Sequence, residues 1–198
     1  MKDLFVNNSL AYITKHKKLE RIDIVRIKYG LEVMYHFLTK TIVIILISYI
    51  LGILKENVLI FICFGIIRSV AQGIHAKSNF ECWIFSLFIY VFIGLYIKYI
   101  PMYDTTCYLL LIFSIISLLL FAPADTKNLP LVNKNKRMSL KIKSVVVAFI
   151  YLISFILIKN NLLKESICIS LSLESILINP ITYRITHSKF NNYKTYNC

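Results

Sequence analysis

Six apolar stretches, at residues 37–54, 57–67, 83–99, 105–122, 144–158 and 166–183, constrain this 198-residue chain more than any other feature. In lipid every backbone N–H and C=O must find its partner inside the segment, so stretches of this kind read as helices, and a span needs roughly 17–25 residues. The second stretch falls short unless it takes in the polar residues up to Gly73 or His75. The sixth is interrupted by Glu174 and by Asn179-Pro180. Hydrophobic residues make up 58% of the chain and charged residues 17%, the latter below the roughly 25% of soluble domains. A soluble domain of this length could not cover so much apolar surface. The expected fold is all-α: a polytopic membrane protein of about six transmembrane helices in a single domain, 1–198. Within it, residues 1–36 form a basic N-terminal region, 37–183 the helices and 184–198 a tail. Residues 1–36 mix apolar and basic positions. They read equally as one or two amphipathic helices on the membrane surface or as a helical hairpin packed on the spans.

Charge sets the orientation. The net charge is +13, which alone is compatible with nucleic acid, anionic headgroups or an acidic protein. No soluble basic stretch is long enough to serve nucleic acid, which is not an expected partner. Counting Lys and Arg in alternate loops gives 18 in one set and four in the other. The positive-inside rule then puts both termini and the 68–82 and 123–143 segments in the cytoplasm. The expected location is a bacterial cell membrane, with the chain multi-pass and the bilayer a partner. The first residues lack the short apolar core and small-residue cleavage site of a secretory signal, so the N-terminus is expected to be retained.

Five cysteines, Cys63, Cys82, Cys107, Cys168 and Cys198, are scattered, with no CxxC pair and no disulfide pattern. Cys63, Cys107 and Cys168 lie in apolar runs and read as packing residues. With no CxxC and no His-Glu-x-x-His, neither metal nor cofactor is expected. Cys82 differs. It closes the segment Arg68-Ser-Val-Ala-Gln72-Gly73-Ile-His75-Ala-Lys77-Ser78-Asn79-Phe-Glu81-Cys82, which sets a His, a Cys, a Gln and an Arg at the cytoplasmic mouth of a short span. Polar side chains at membrane depth are costly and default to a functional reading. In a Cys–His pair the imidazole takes the thiol proton and the thiolate attacks a carbonyl. Spacing alone also allows incidental loop residues.

The elements Arg68…Gly73-Ile-His75-Ala-Lys77…Cys82 and Ala122-Pro-Ala-Asp125-Thr-Lys-Asn-Leu-Pro-Leu131 together resemble the accessory gene regulator B (AgrB) family. These are bacterial membrane peptidases that process the precursor of a cyclic quorum-sensing peptide. The resemblance runs over nearly the whole chain. It implies that Cys82 is the nucleophile and His75 its base. It also implies cleavage on the C-terminal side of the precursor through an acyl-enzyme thioester, then cyclisation to a thiolactone or lactone. The precursor is expected to carry an acidic C-terminal tail, for which the basic run at Lys134, Lys136, Arg137, Lys141 and Lys143 is a docking surface; ordinary positive-inside charge is the plainer reading. A second copy of the chain, in a homodimer, is a further partner considered.

Other residues keep two readings. Gln72, or backbone N–H groups near Gly73, is an oxyanion donor or Gln72 is a polar helix end. Arg68 holds a substrate carboxylate, favours the Cys82 thiolate, or anchors at headgroups. Asp125 orients His75 or caps a turn beside Pro123, the turn being favoured. Glu174 pairs with a buried Lys or Arg. Two other functions stand beside the peptidase: a small transporter or exporter without covalent chemistry, and a non-catalytic adaptor. Geometry bears on the peptidase reading. On one unbroken helix His75 and Cys82 would sit about 10.5 Å apart along the axis at 1.5 Å per residue, too far for proton transfer. The chain is therefore expected to break near residues 77–79, with Ser78 or Asn79 starting the next helix and Cys82 in its first turn.

Overall fold

The computed structural model describes residues 2–16, 20–74, 78–126 and 130–196. Among these residues the regular structure is helical, as expected, with eight α-helices and a short 3-10 turn at Asn192–Thr195. Two compact units are present, Met1–Ile50 and Leu51–Cys198.

The first unit holds α1 (Lys2–His16) and α2 (Arg21–Ile50), packed on each other. Asp3 lies in the first turn of α1 and Lys15 and His16 in its last, the arrangement that complements the helix dipole. Val6 is buried, and the rings of Phe5 and Tyr35 meet at 5.6 Å. The expected boundary between a basic region ending at 36 and a span starting at 37 is not a structural boundary. Helix α2 runs unbroken from Arg21 to Ile50. Nothing in that stretch stops a helix: it has no Pro, and its charges fall among good helix formers. At 1.5 Å per residue it is about 45 Å long, so its apolar half can cross a bilayer while its basic half extends beyond.

The second unit is built around α7 (Asn161–Leu177). It packs against α3 (Leu54–Ala71), α5 (Asp104–Phe121) and α6 (Lys134–Leu157), and more lightly against α4 (Asn79–Tyr99) and α8 (Pro180–Ile185). The buried core includes Ile67, Leu111, Leu118, Phe155, Cys168, Leu171 and Ile178. Cys63, Cys107 and Cys168 are buried, as their apolar settings predict. Small side chains let the backbones approach: Ser166, Ser170 and Ser175 of α7 and Ser114 and Ser117 of α5 are all buried. Between α3 and α4, a Cβ on Gly94 would come within 2.5 Å of Asn57 Oδ1 and 2.9 Å of Ile53 Cδ1, so any larger residue there would force those side chains to shift. Large apolar side chains on the outer faces of α4, α5 and α6, such as Phe88, Phe92, Leu109, Leu120 and Ile153, are exposed, which is the surface a lipid-facing helix presents.

Four helices, α2, α4, α5 and α6, are long and apolar enough to cross a membrane by length and composition. The second and sixth expected spans are the polar centre. Helix α3 carries Lys55, Glu56 and Arg68, and α7 carries Lys164, Glu165 and Glu174. The sixth stretch is two helices, because Asn179 caps α8 by accepting from the Ile181 N–H at 2.9 Å and Pro180 takes the first helical position. Helix α6 starts ten residues before the expected span. Asn133 caps it by accepting from the Asn135 and Lys136 N–H groups, so the basic run forms its first turns.

Candidate active site

The site grows from the end of α3. Gln72 closes that helix at a positive φ (+61°, with ψ −123°), and Gly73 follows at φ +105°. A Cβ on Gly73 would lie 2.6 Å from the Arg68 guanidinium and 3.1 Å from the Leu177 carbonyl, so the position demands glycine twice, by angle and by space. The chain then runs extended beside the Pro-Ala-Asp loop. The Gly73 N–H donates to the Ala124 carbonyl at 2.9 Å, and the Ala124 N–H donates to the Ala71 carbonyl at 3.1 Å. The two recognisable motifs, about fifty residues apart, are thus joined through their backbones as a single parallel bridge. The Ile74 N–H donates to the Leu177 carbonyl, at the end of α7, at 3.2 Å.

Arg68 sits beneath this segment. Its guanidinium donates to the Gln72 and Ile74 carbonyls and pairs with Glu174 at 3.4 Å. Glu174 is fully buried and the Arg68 side chain is 19% exposed. The expected basic partner for Glu174 is therefore Arg68, and the guanidinium is committed to its own chain. Gln72 is half-buried at the helix end. The amides of Gly73 and Ile74 already serve the Ala124 and Leu177 carbonyls, which leaves the oxyanion reading of those groups without a donor.

Helix α4 begins where the local sequence predicts. Ser78 is its N-cap, with its hydroxyl accepting from the Glu81 N–H at 3.1 Å, and the Cys82 N–H donates to the Ser78 carbonyl at 3.0 Å. Ser78-x-x-Glu81 is the pattern of a capping box. Cys82 is the fourth residue of α4, in its first turn, and is half-buried. His75, with Ala76 and Lys77, lies outside the described residues, so the His75–Cys82 distance does too. What is fixed is the two ends of that short connection, Ile74 and Ser78.

Asp125 is nearly fully buried, and its carboxylate accepts from three amides: Asn192 at 2.7 Å, Tyr193 at 2.8 Å and Leu131 at 3.3 Å. Its own carbonyl accepts from the Tyr183 hydroxyl at 3.0 Å. The turn-forming reading of Asp125 is the nearer one, but its reach is wider than a local cap, because it seats the C-terminal segment. Sequence reasoning missed this, since Asn192 and Tyr193 lie in a tail with no apolar period.

The basic residues form one wall of an open pocket of about 280 Å³, with Lys134, Arg137 and Lys141 facing Pro123, Phe190 and Tyr193. The Arg137 guanidinium stacks on the Tyr193 ring at 3.8 Å and donates to the Leu131 carbonyl at 3.0 Å. Lys134 and Lys136 are exposed, and Lys136 does not line the pocket. Cations in the first turn of a helix oppose its dipole, so this cluster is not there for the stability of α6.

The sequence model of the accessory gene regulator B family matches residues 6–178. The chain belongs to that family. An AgrB-like protein of Clostridium acetobutylicum is 34% identical over 184 residues, covering 91% of this chain and 87% of that one. An AgrB-like protein of Listeria monocytogenes is 29% identical over 171 residues, 86% of this chain and 84% of its own. Accessory gene regulator protein B of Staphylococcus saprophyticus is 25% identical over 181 residues, covering 91% and 95%. No solved structure matches. AgrB family membership supports a role in the agr quorum-sensing system, and the four long apolar helices fit a membrane protein. The family match stops before α8, so the tail that Asp125 seats lies beyond it.

Proposed function

We propose that this chain is a membrane cysteine endopeptidase that cleaves the precursor of a cyclic autoinducing peptide and passes the product through a thioester to ring closure. One observation carries the reading most: helix α3 ends at Ala71 and α4 restarts at Asn79, with Cys82 in the first capped turn and His75 in the short connection before it. That break removes the separation that an unbroken helix would impose on the pair.

In the proposed cycle His75 takes the Cys82 thiol proton, and the thiolate attacks the precursor carbonyl. The protonated imidazole gives its proton to the leaving amine, and the C-terminal part of the precursor departs. The remainder is held as a thioester on Cys82. An internal Cys or Ser of the precursor then gives its proton to the now neutral His75 and attacks that thioester, closing the ring and expelling the Cys82 thiolate, which can recover the proton from His75. Ring closure competes with water, so holding the internal nucleophile close can contribute about 7–11 kcal/mol, and a site at the membrane boundary helps exclude water. The Lys134, Lys136 and Arg137 surface suits an acidic segment of the precursor by charge. Arg68 acts on the site from within rather than on substrate, since its guanidinium is turned to its own chain; the Gln72 side chain, half-buried at the helix end, is the oxyanion donor of this reading. The positive-inside count supports both termini and the site facing the cytoplasm.

The test is co-expression with a small precursor encoded beside this chain, followed by weighing the products. Wild-type protein should release a C-terminal fragment and a cyclic product lighter than its linear acid by one water. Cys82→Ala at equal membrane level should give neither. Cleavage by the Cys82→Ala protein would overturn the reading.

A further inference from the structure

The residues before His75 are held by an unusual concentration of bonds. Two amides, Gly73 and Ile74, donate to Ala124 and Leu177, and two carbonyls, Gln72 and Ile74, accept from one guanidinium. That guanidinium belongs to Arg68, one turn back on α3, and its charge is met by Glu174 on α7. Glu174 has no exposed surface and does not line the basic pocket. A buried ion pair is a poor device for stability, because desolvation consumes most of the Coulomb gain and apolar replacements often do as well. The local chain is nevertheless shaped around this one. Gly73 lacks the Cβ that would collide with the guanidinium, and α3 is followed by two positive-φ residues, with the Gln72 and Ile74 carbonyls on the guanidinium's two arms. A planar fork with fixed donors suits that task in a way a lysine ammonium does not.

We propose that Glu174, acting through Arg68, is a positioning residue for the reaction: it fixes the guanidinium that aims the 72–74 segment and so delivers His75 to Cys82. The inference rests on the His75–Cys82 reading given above. Glu174 holds the fork immobile between α3 and α7, and the fork sets where the chain leaves α3. Neither residue meets the substrate.

Three variants test it in full-length protein in membranes: Glu174→Gln, Arg68→Lys and His75→Ala. The readouts are kcat and KM for precursor cleavage, the rate at which iodoacetamide alkylates Cys82 at pH 7 (resolved by peptide mass), and the thermal unfolding midpoint. Arg68→Lys retains the charge that Glu174 needs and loses only the fork, so it guards against a Glu174→Gln protein that fails to accumulate. The expected result is a drop in kcat of tenfold or more with KM within twofold for both Arg68→Lys and Glu174→Gln. Cys82 alkylation should slow as it does in His75→Ala, and combining Glu174→Gln with His75→Ala should slow it no further. Arg68→Lys turning over at the wild-type rate, or either variant losing activity only in step with its unfolding midpoint while Cys82 alkylation is unchanged, would overturn the proposal. Failure of the underlying reading is separate and visible in the control: a His75→Ala protein with normal alkylation and turnover removes the pair itself, and the positioning role with it.

Discussion

Gly73 and Ser78 bracket the connection that carries His75, and each does so by local chemistry. At Gly73 a side chain meets both a forbidden backbone angle and the Arg68 guanidinium. Gly73→Ala should cost about 1–3 kcal/mol of stability and, by moving the 72–74 segment, more in turnover than in substrate affinity; thermal unfolding beside steady-state kinetics measures both. At Ser78, loss of the cap should cost about 1 kcal/mol, read as a lower unfolding midpoint for Ser78→Ala with Ser78→Asp near wild type. Cys82→Ala and His75→Ala should each abolish cleavage, and their effects should not add because the two act as one unit. A His75→Ala protein with near-normal turnover would contradict that. The helix start was legible because caps are written in neighbouring residues: Ser78 and Asn79 announce it without help from the rest of the fold. The role of Arg68 was not, because the 106 residues separating it from Glu174 leave no mark in either local sequence. The chain predicts that Glu174 has a basic partner and cannot say which.

Among the elements, the Pro-Ala-Asp loop joins the site to the tail. Its backbone pairs with the α3 exit at Ala124, and one residue on, Asp125 holds the amides of Asn192 and Tyr193. Asp125→Ala would leave three amides without their acceptor, at a cost of about 3 kcal/mol or more, since bonds to a charged group are worth about 1.5–3 kcal/mol each. Limited proteolysis should show the C-terminal segment cut first in that variant; equal resistance to wild type would show the carboxylate to be dispensable. Helix α6 presents its charges where its dipole disfavours them, and substrate binding is the account offered for that. Exposed pairs contribute up to about 1 kcal/mol each, so replacing both Lys134 and Lys136 by Ala should raise KM roughly tenfold at low salt, leave kcat nearly unchanged, and lose its effect in high salt. Unaltered KM would return the cluster to ordinary topogenic charge. The early start of α6 escaped the apolar pattern because the pattern begins only where the charges end, while Asn133 begins the helix ten residues sooner.

For the molecule as a whole, composition and the six apolar stretches pointed to an all-helical membrane protein, and the helices fall where those stretches lie. The polar interruptions of the second and sixth stretches are visible in the sequence; what periodicity could not reveal is that these two are central. Apolar length measures how well a segment suits lipid, whereas α3 and α7 are surrounded by other helices and can carry Arg68 and Glu174 against each other. Orientation remains a matter of charge. With 18 of the loop Lys and Arg in one alternating set, an impermeant thiol reagent applied outside intact cells should leave Cys82 unlabelled until the membrane is opened; strong labelling beforehand would invert the topology. The central claim is covalent catalysis by Cys82, and trapping the acyl-enzyme tests it most directly. Membranes holding the wild-type chain are incubated with a precursor whose internal Cys or Ser is replaced by Ala, and Cys82 is then weighed within its peptide. The account predicts an adduct on Cys82 equal in mass to the precursor less its released C-terminal part, removed by neutral hydroxylamine as a thioester is. Release of that C-terminal part with Cys82 unmodified throughout the time course would contradict it.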